Sequence, residues 1–78
     1  MHFVKGLEHP EFKLLLYDWN NKFILKCEYG PFEQVYKFSQ LDFISQEDLE
    51  QAVLKEEFIE VLRAACQLME KGLKIAYE

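Results

Sequence analysis

Two histidines near the amino terminus are the first residues whose type could hold a metal ion. His2 and His9 are the only histidines, and Glu8 and Glu11 lie close to the second of them. Two histidines seven residues apart on an irregular segment do not have a recognised ligand spacing. We interpret them as solvent-exposed side chains, and the sequence predicts no metal and no cofactor.

The two cysteines, Cys27 and Cys66, could supply a nucleophile or a disulfide. A reactive thiol needs a histidine or another cation beside it, and neither cysteine has one in the sequence. Both lie among apolar residues, which predicts buried thiols without a catalytic role. Two cysteines are too few for a secreted disulfide framework. Residues 1–5 also lack the apolar stretch of a signal peptide, so we expect a cytoplasmic protein.

The acidic residues of the second half are close enough in sequence to suggest acid–base catalysis. Such chemistry needs carboxylates in a pocket where burial separates their pKa values, and these lie in a polar helical region. The three glycines are scattered singly, which excludes a phosphate-binding loop, and two serines without a nearby histidine do not indicate a triad. An enzyme is therefore not favoured, although a ligand-binding or catalytic site between subunits stays open.

Aromatic residues concentrate in the first half, where they could stack on nucleotide bases. Tyr17 and Trp19 are expected on one sheet face together with Lys13, Lys22 and Lys26. The net charge of −5 and the single arginine oppose nucleic-acid binding. Binding to nucleic acid is the second hypothesis, and packing or a protein contact is the favoured role of these aromatics.

Charge is distributed unevenly along the 78 residues, a length that fits one small domain, 1–78. Segment 42–60 has seven acidic residues against Lys55 alone, and its field repels nucleic acid and anionic lipid. We interpret this acidic segment as a solvated helix face, with a docking surface as the alternative. No apolar run is long enough to cross a membrane.

The elements that position these residues are predicted as an α+β fold, a three-stranded antiparallel meander followed by one long amphipathic helix. Asn20 and Asn21 tolerate positive φ and predict a two-residue hairpin loop that pairs Leu16 with Leu25. Strands are expected over 12–17, 22–28 and 33–38. The third register places Glu33 opposite Glu28, an unfavourable pair. Residues 1–11 are expected to be irregular, with at most a short edge strand at 3–4.

Ser45 is the predicted N-cap of a helix over 46–71, and Gly72 is its predicted stop. A straight helix of that length would measure about 39 Å, longer than the strands, so a break near Lys55 is the alternative. Residues 73–77 alternate in polarity and fit either a fourth strand or a helix tail.

Segment 58–69 is the most informative stretch, because only Glu60, Arg63 and Gln67 are polar there. A helix on a sheet needs an apolar face of little more than about 100°, so a second element must cover the remainder. Either 46–54 folds back over it or a second protein chain does. We therefore expect a non-enzymatic interaction module, most simply a homodimer, with another protein as the alternative partner. The predicted contact residues are Tyr17, Trp19, Ile59 and Leu62.

Overall fold

The computed structural model describes all 78 residues and shows an α+β fold, an antiparallel sheet in the order β1-β2-β3-β4 followed by two helices. The strands and helices are β1 (His2–Leu7), β2 (Lys13–Trp19), β3 (Lys22–Tyr29), β4 (Phe32–Ser39), a 3₁₀ turn at Gln40–Asp42, α1 (Gln46–Val53) and α2 (Glu56–Ala76).

The hairpin of β2 and β3 has the predicted loop and register. Asn20 and Asn21 adopt φ values of 53° and 61°, the left-handed conformation that a tight two-residue hairpin turn requires. Leu16 faces Leu25, and Lys13 faces Glu28. The alternation of apolar and polar residues therefore specified this pairing.

The hairpin of β3 and β4 also keeps its predicted register, closed by the two residues Gly30 and Pro31. Gly30 has φ of 56°, which a glycine adopts without steric cost. Tyr36 faces Leu25, and Glu33 does face Glu28. The like-charge pair expected from the sequence is thus present in the fold.

Strand β1 corrects the expectation of an irregular amino terminus. It has six residues, five of which pair with β2, and its register shifts between Phe3 and Lys5 in a β-bulge. Without β1, the backbone groups along the outer edge of β2 would have no partner in the chain. The meander therefore has four strands.

The long helix is broken at Leu54 and Lys55, where the backbone of Lys55 is extended. The break has a geometric reason. In one straight helix the apolar pair Leu49 and Val53 would lie about 120° around the axis from Ile59 and its neighbours. The interruption turns both apolar stripes toward the same sheet. Ser45 caps α1 as predicted, its hydroxyl accepting from the Asp48 amide at 3.2 Å.

The carboxyl-terminal end differs from both the predicted stop and the strand alternative. Gly72 lies inside α2, which continues to Ala76, and residues 73–76 are helical. Gly72 has no positive φ, so it does not act as a left-handed cap. Nothing in the chain pairs with 73–77 as a strand, and the helix simply continues.

The core lies between one face of the sheet and the two helices. It combines inward side chains of β2 and β3 with the buried stripes of α1 and α2, and both cysteines belong to it. Its twelve buried members are Leu7, Phe12, Leu14, Leu16, Phe23, Leu25, Cys27, Leu49, Val53, Ile59, Leu62 and Cys66.

Candidate interaction surface

Two of the four predicted contact residues are not available to a partner. Ile59 and Leu62 are 0% exposed, because α2 turns them onto the sheet of its own chain. Segment 58–69 is apolar around most of its circumference, which indicated that more than one element must cover it. The sequence did not show which side of the helix packs on the sheet. On α2 the contact surface must be sought among the residues that stay exposed.

Tyr17 and Trp19 lie on the sheet face opposite the helices, as expected. Trp19 is 47% exposed, whereas Tyr17 is half-buried. The ring of Phe3 meets Tyr17 edge-on with centroids 5.5 Å apart, and Lys26 Nζ lies 5.6 Å from the Tyr17 centroid. This outer sheet face thus presents an aromatic cluster with a cation against it.

The outer sheet face continues to the edge of β4. Leu15, Lys26 and Val35 follow one another in register across three strands, and Val35 is 48% exposed. Ile24 is buried although it lies on the same face. The apolar centre is therefore partly covered within the chain, while its ends at Trp19 and Val35 remain open.

A second exposed apolar surface follows one flank of α2, which we call the outer stripe: Val61, Ala65, Leu68, Gly72 and Ile75. Val61, Leu68 and Ile75 recur every seven residues and so lie along one side of the helix. Leu68 is 70% exposed. The sheet covers a different stripe, so this one has no partner within the chain.

Gln34 connects β4 to α2 from inside the core. It is the only buried polar residue, and its Nε2 donates to Leu62 O at 3.0 Å and to Cys66 Sγ at 3.4 Å. The hydroxyl of Tyr36 donates to Gln34 Oε1 at 3.1 Å. These bonds fix α2 along β4. The sequence signal was a polar residue at a position that alternation assigns to the core.

Arg63 is the centre of an ion-pair network that sequence analysis missed. It binds Glu11 through two nitrogens and donates to Glu56 Oε1 at 2.6 Å. The Arg63 guanidinium holds the pKa of Glu11 below its ordinary value. His9 Nδ1 accepts from the Glu11 amide at 3.1 Å and so positions that carboxylate.

This network also closes a cleft of about 290 Å³ beside α2, lined in part by Glu11, Tyr29 and Arg63. The guanidinium is already paired with two carboxylates, so it has little capacity left for an anionic ligand. The cleft is also lined by Gln67 and Glu70, together with the apolar side chains of Phe12, Phe32 and Cys66.

The chemistry of the cysteines follows from their burial. Desolvation, and to a smaller extent the nearby Cys66 thiol, raises the pKa of Cys27 to about 12. Both cysteines are free and buried. A thiol that stays protonated at neutral pH is a poor nucleophile.

Two further features, metal-type side-chain clusters and membrane-spanning helices, are answered by the structure. No three His, Cys, Asp or Glu residues are grouped to hold a metal ion, and His2 and His9 do not converge on a shared site with other ligands. Neither α1 nor α2 has the length and apolar character of a bilayer-spanning helix.

Searches among protein-family models, curated proteins and solved structures find no match for this chain. Its function therefore has to be argued from its own residues.

Proposed function

We propose that the protein is a small non-enzymatic interaction module that acts by self-association or by binding another protein. The observation that supports this most strongly is the outer stripe of α2, an apolar flank that no other element of the chain covers. Tyr17 and Trp19 on the outer sheet face give a second apolar surface. Both cysteines are free thiols, which fits action in the cytoplasm.

The shape of the chain supports the proposal. Its radius of gyration is 13.7 Å, whereas a compact domain of this length has about 11.5 Å. Its accessible surface is 5584 Å², against about 5,000 Å² for a typical monomer of its mass. The excess arises because α2 continues beyond Cys66, its last buried residue.

Covering this surface would matter energetically. Each large apolar side chain that becomes fully buried contributes roughly 1.5–3 kcal/mol. A domain of this size has a total stability of only about 5–10 kcal/mol, so a few such side chains at a contact are a large addition.

One observation favours nucleic acid as the second candidate partner. The outer sheet face carries Lys13, Lys22, Lys26 and Lys37 against Glu28 and Glu33, four positive charges minus two negative, although the whole chain has a net charge of −5. With Trp19 exposed, this face combines cations and an aromatic ring. Salt-sensitive binding of single-stranded RNA, lost in Trp19→Ala, would favour this candidate over a protein contact.

The proposal is tested by placing a charge on each apolar surface and measuring the mass of the assembly by light scattering. We expect Leu68→Glu or Trp19→Glu to reduce association. Ile44→Glu is the control, because Ile44 is an exposed apolar residue beside Glu47 and Gln51 at the start of α1 and belongs to neither surface. If Leu68→Glu and Trp19→Glu both behave like this control, the proposal fails.

A further inference from the structure

We infer that the free edge of β4 pairs antiparallel with β4 of a second copy of this chain, with Val35 on the two-fold axis. The two sheets would join into one of eight strands, and the two α2 helices would pack beside each other through their outer stripes. This inference rests on the proposed function and specifies its partner and its contact.

The backbone of β4 has unused hydrogen-bonding groups along this edge. Gln40 N donates to Asn21 O at 3.0 Å, so these two residues form a hydrogen-bonded pair. Hydrogen-bonded and non-hydrogen-bonded pairs alternate along an antiparallel ladder. The even-numbered residues of β4 therefore bond to β3. The N–H and C=O groups of Glu33, Val35 and Lys37 therefore point away from the sheet. No other strand pairs with them, since β4 is last in the strand order.

The two edge strands, β1 and β4, differ in how well they are protected against pairing with a strand of another chain. Strand β1 has six residues and a bulge, which is a common protection of a free edge. Strand β4 has eight residues in continuous register, with no bulge and no internal proline. Its open edge therefore suits strand addition.

Self-pairing about Val35 gives a complementary register. Glu33 and Lys37 are each two residues from Val35, so Glu33 of one copy faces Lys37 of the other, twice in the dimer. In this register Glu33, Val35 and Lys37 face one another across the axis, and these are the residues whose backbone N–H and C=O groups are free to bond. The two copies of Val35, each 48% exposed, meet at the centre.

The charge on Glu33 adds a reason for this partner. Within one chain Glu33 faces Glu28, and its nearest cation is Lys26, 3.8 Å away. A lysine from the second copy would offset this like-charge pair.

Helix α2 lies in the right place to extend the contact. Gln34 holds Leu62 O, and the rings of Phe58 and Tyr36 have centroids 5.1 Å apart, so α2 runs along β4. Arg63 reaches Glu11 on the flank toward β2. Ala65 and Gly72 of the outer stripe lie on the opposite flank, toward the free edge of β4, and Leu68 and Ile75 turn further away from the sheet.

The same axis would let the two α2 helices approach closely. Gln34 bonds to α2 between Leu62 and Cys66, so a two-fold axis through Val35 passes near Ala64 and Ala65. Small residues at that level let two helices approach closely. Ala65 lies about 90° around the helix axis from the buried stripe of α2, on the flank where a second helix could pack. The Glu33–Lys37 pairs, which one strand register forms twice, argue for a second copy over an unrelated strand.

Charge reversal tests the register. Glu33→Lys and Lys37→Glu each create two like-charge pairs, and we expect each to raise the dimer dissociation constant at least about tenfold in sedimentation equilibrium. A mixture of the two variants restores both opposite-charge pairs, so it should form heterodimers as tightly as the wild type. Glu8→Lys, an exposed reversal in the β1–β2 connection, is the matched control and should leave association unchanged.

Amide hydrogen exchange of the wild type gives a second measurement that needs no substitution. In concentrated protein the amides of Glu33, Val35 and Lys37 should be protected, and dilution should release them, whereas Gln34 and Tyr36 stay protected throughout. This inference is overturned if the protein dimerises but neither charge reversal changes its dissociation constant. It is also overturned if the amides of Glu33, Val35 and Lys37 exchange freely in the dimer. Either result leaves the proposed function standing. A wild-type protein that stays monomeric at every concentration overturns this inference and the self-association form of the proposed function, and leaves binding to another protein.

Discussion

Gln34 Nε2 donates a hydrogen bond to the carbonyl oxygen of Leu62, 3.0 Å away, and so links the edge strand to the helix above it. The same amide group contacts Cys66 Sγ, and Tyr36 completes the network. Because the bond joins β4 to α2, it fixes the relative position of the two elements that carry the proposed contact.

Removing this link should destabilise the fold. Gln34→Ala deletes the hydrogen bonds and opens a small cavity, and we expect a loss of about 1–3 kcal/mol in the free energy of unfolding by urea titration. Gln34→Met is the matched control, because it keeps most of the volume and should lose less. If Gln34→Ala stays within about 0.5 kcal/mol of the wild type, the hydrogen bonds do not hold α2 in place.

Acid should weaken the contact between Glu11 and α2. The hydrogen bond from Arg63 lowers the folded pKa of Glu11 below its ordinary value of 4.5. A lowered carboxyl pKa contributes stability that is present above about pH 4.5 and is lost as pH falls through the folded pKa.

We therefore expect Glu11→Gln to be less stable than the wild type at pH 7, with the gap closing under acid. Both side chains are partly exposed, so the gap is small. Unfolding curves at pH 7 and pH 3 measure it. A gap that is constant with pH would show that the Glu11 charge has no part in it.

Both cysteines should resist modification in the native protein. Cys27 has a pKa of about 12, three units above its ordinary value of 9.0, which slows its reaction with a thiol reagent roughly a thousandfold at pH 8 through ionisation alone. Burial protects Cys66 sterically. Labelling should accelerate in urea, and rapid labelling of either cysteine in the native protein would contradict its burial.

Gly72 should be replaceable with a gain in stability. It lies inside α2 without positive φ, and an added Cβ would meet nothing within 4 Å. Gly72→Ala is therefore expected to stabilise the helix by about 0.5–1 kcal/mol, measured by urea unfolding at low protein concentration. A loss of stability would mean that this part of α2 is not helical in solution.

The sequence determined local pairing well because side-chain alternation and turn chemistry act over few residues. Asn20 and Asn21 specify the turn and register of the first hairpin, and Gly30 and Pro31 specify those of the second. Gly72 misled the prediction because a glycine stops a helix only where a left-handed residue is required. No glycine or proline marks the break at Lys55. Its only sign in the sequence is that the apolar residues of 46–54 and of 58–69 would lie on different sides of one continuous helix.

The contact surface was less predictable because it depends on the direction in which α2 faces the sheet. The composition of 58–69 shows that Ile59, Leu62 and Val61 are all apolar, but only the packing of the chain decides which are covered. Ile59 and Leu62 face the sheet, and Val61 stays on the outer stripe. The free edge of β4 is a property of strand order and cannot be read from periodicity.

Sedimentation equilibrium of the unmodified protein over a range of micromolar concentrations tests the proposed self-association most directly. We expect the weight-average mass to rise with concentration from the 9.4 kDa of one chain toward twice that value. A mass of 9.4 kDa at every concentration would contradict it.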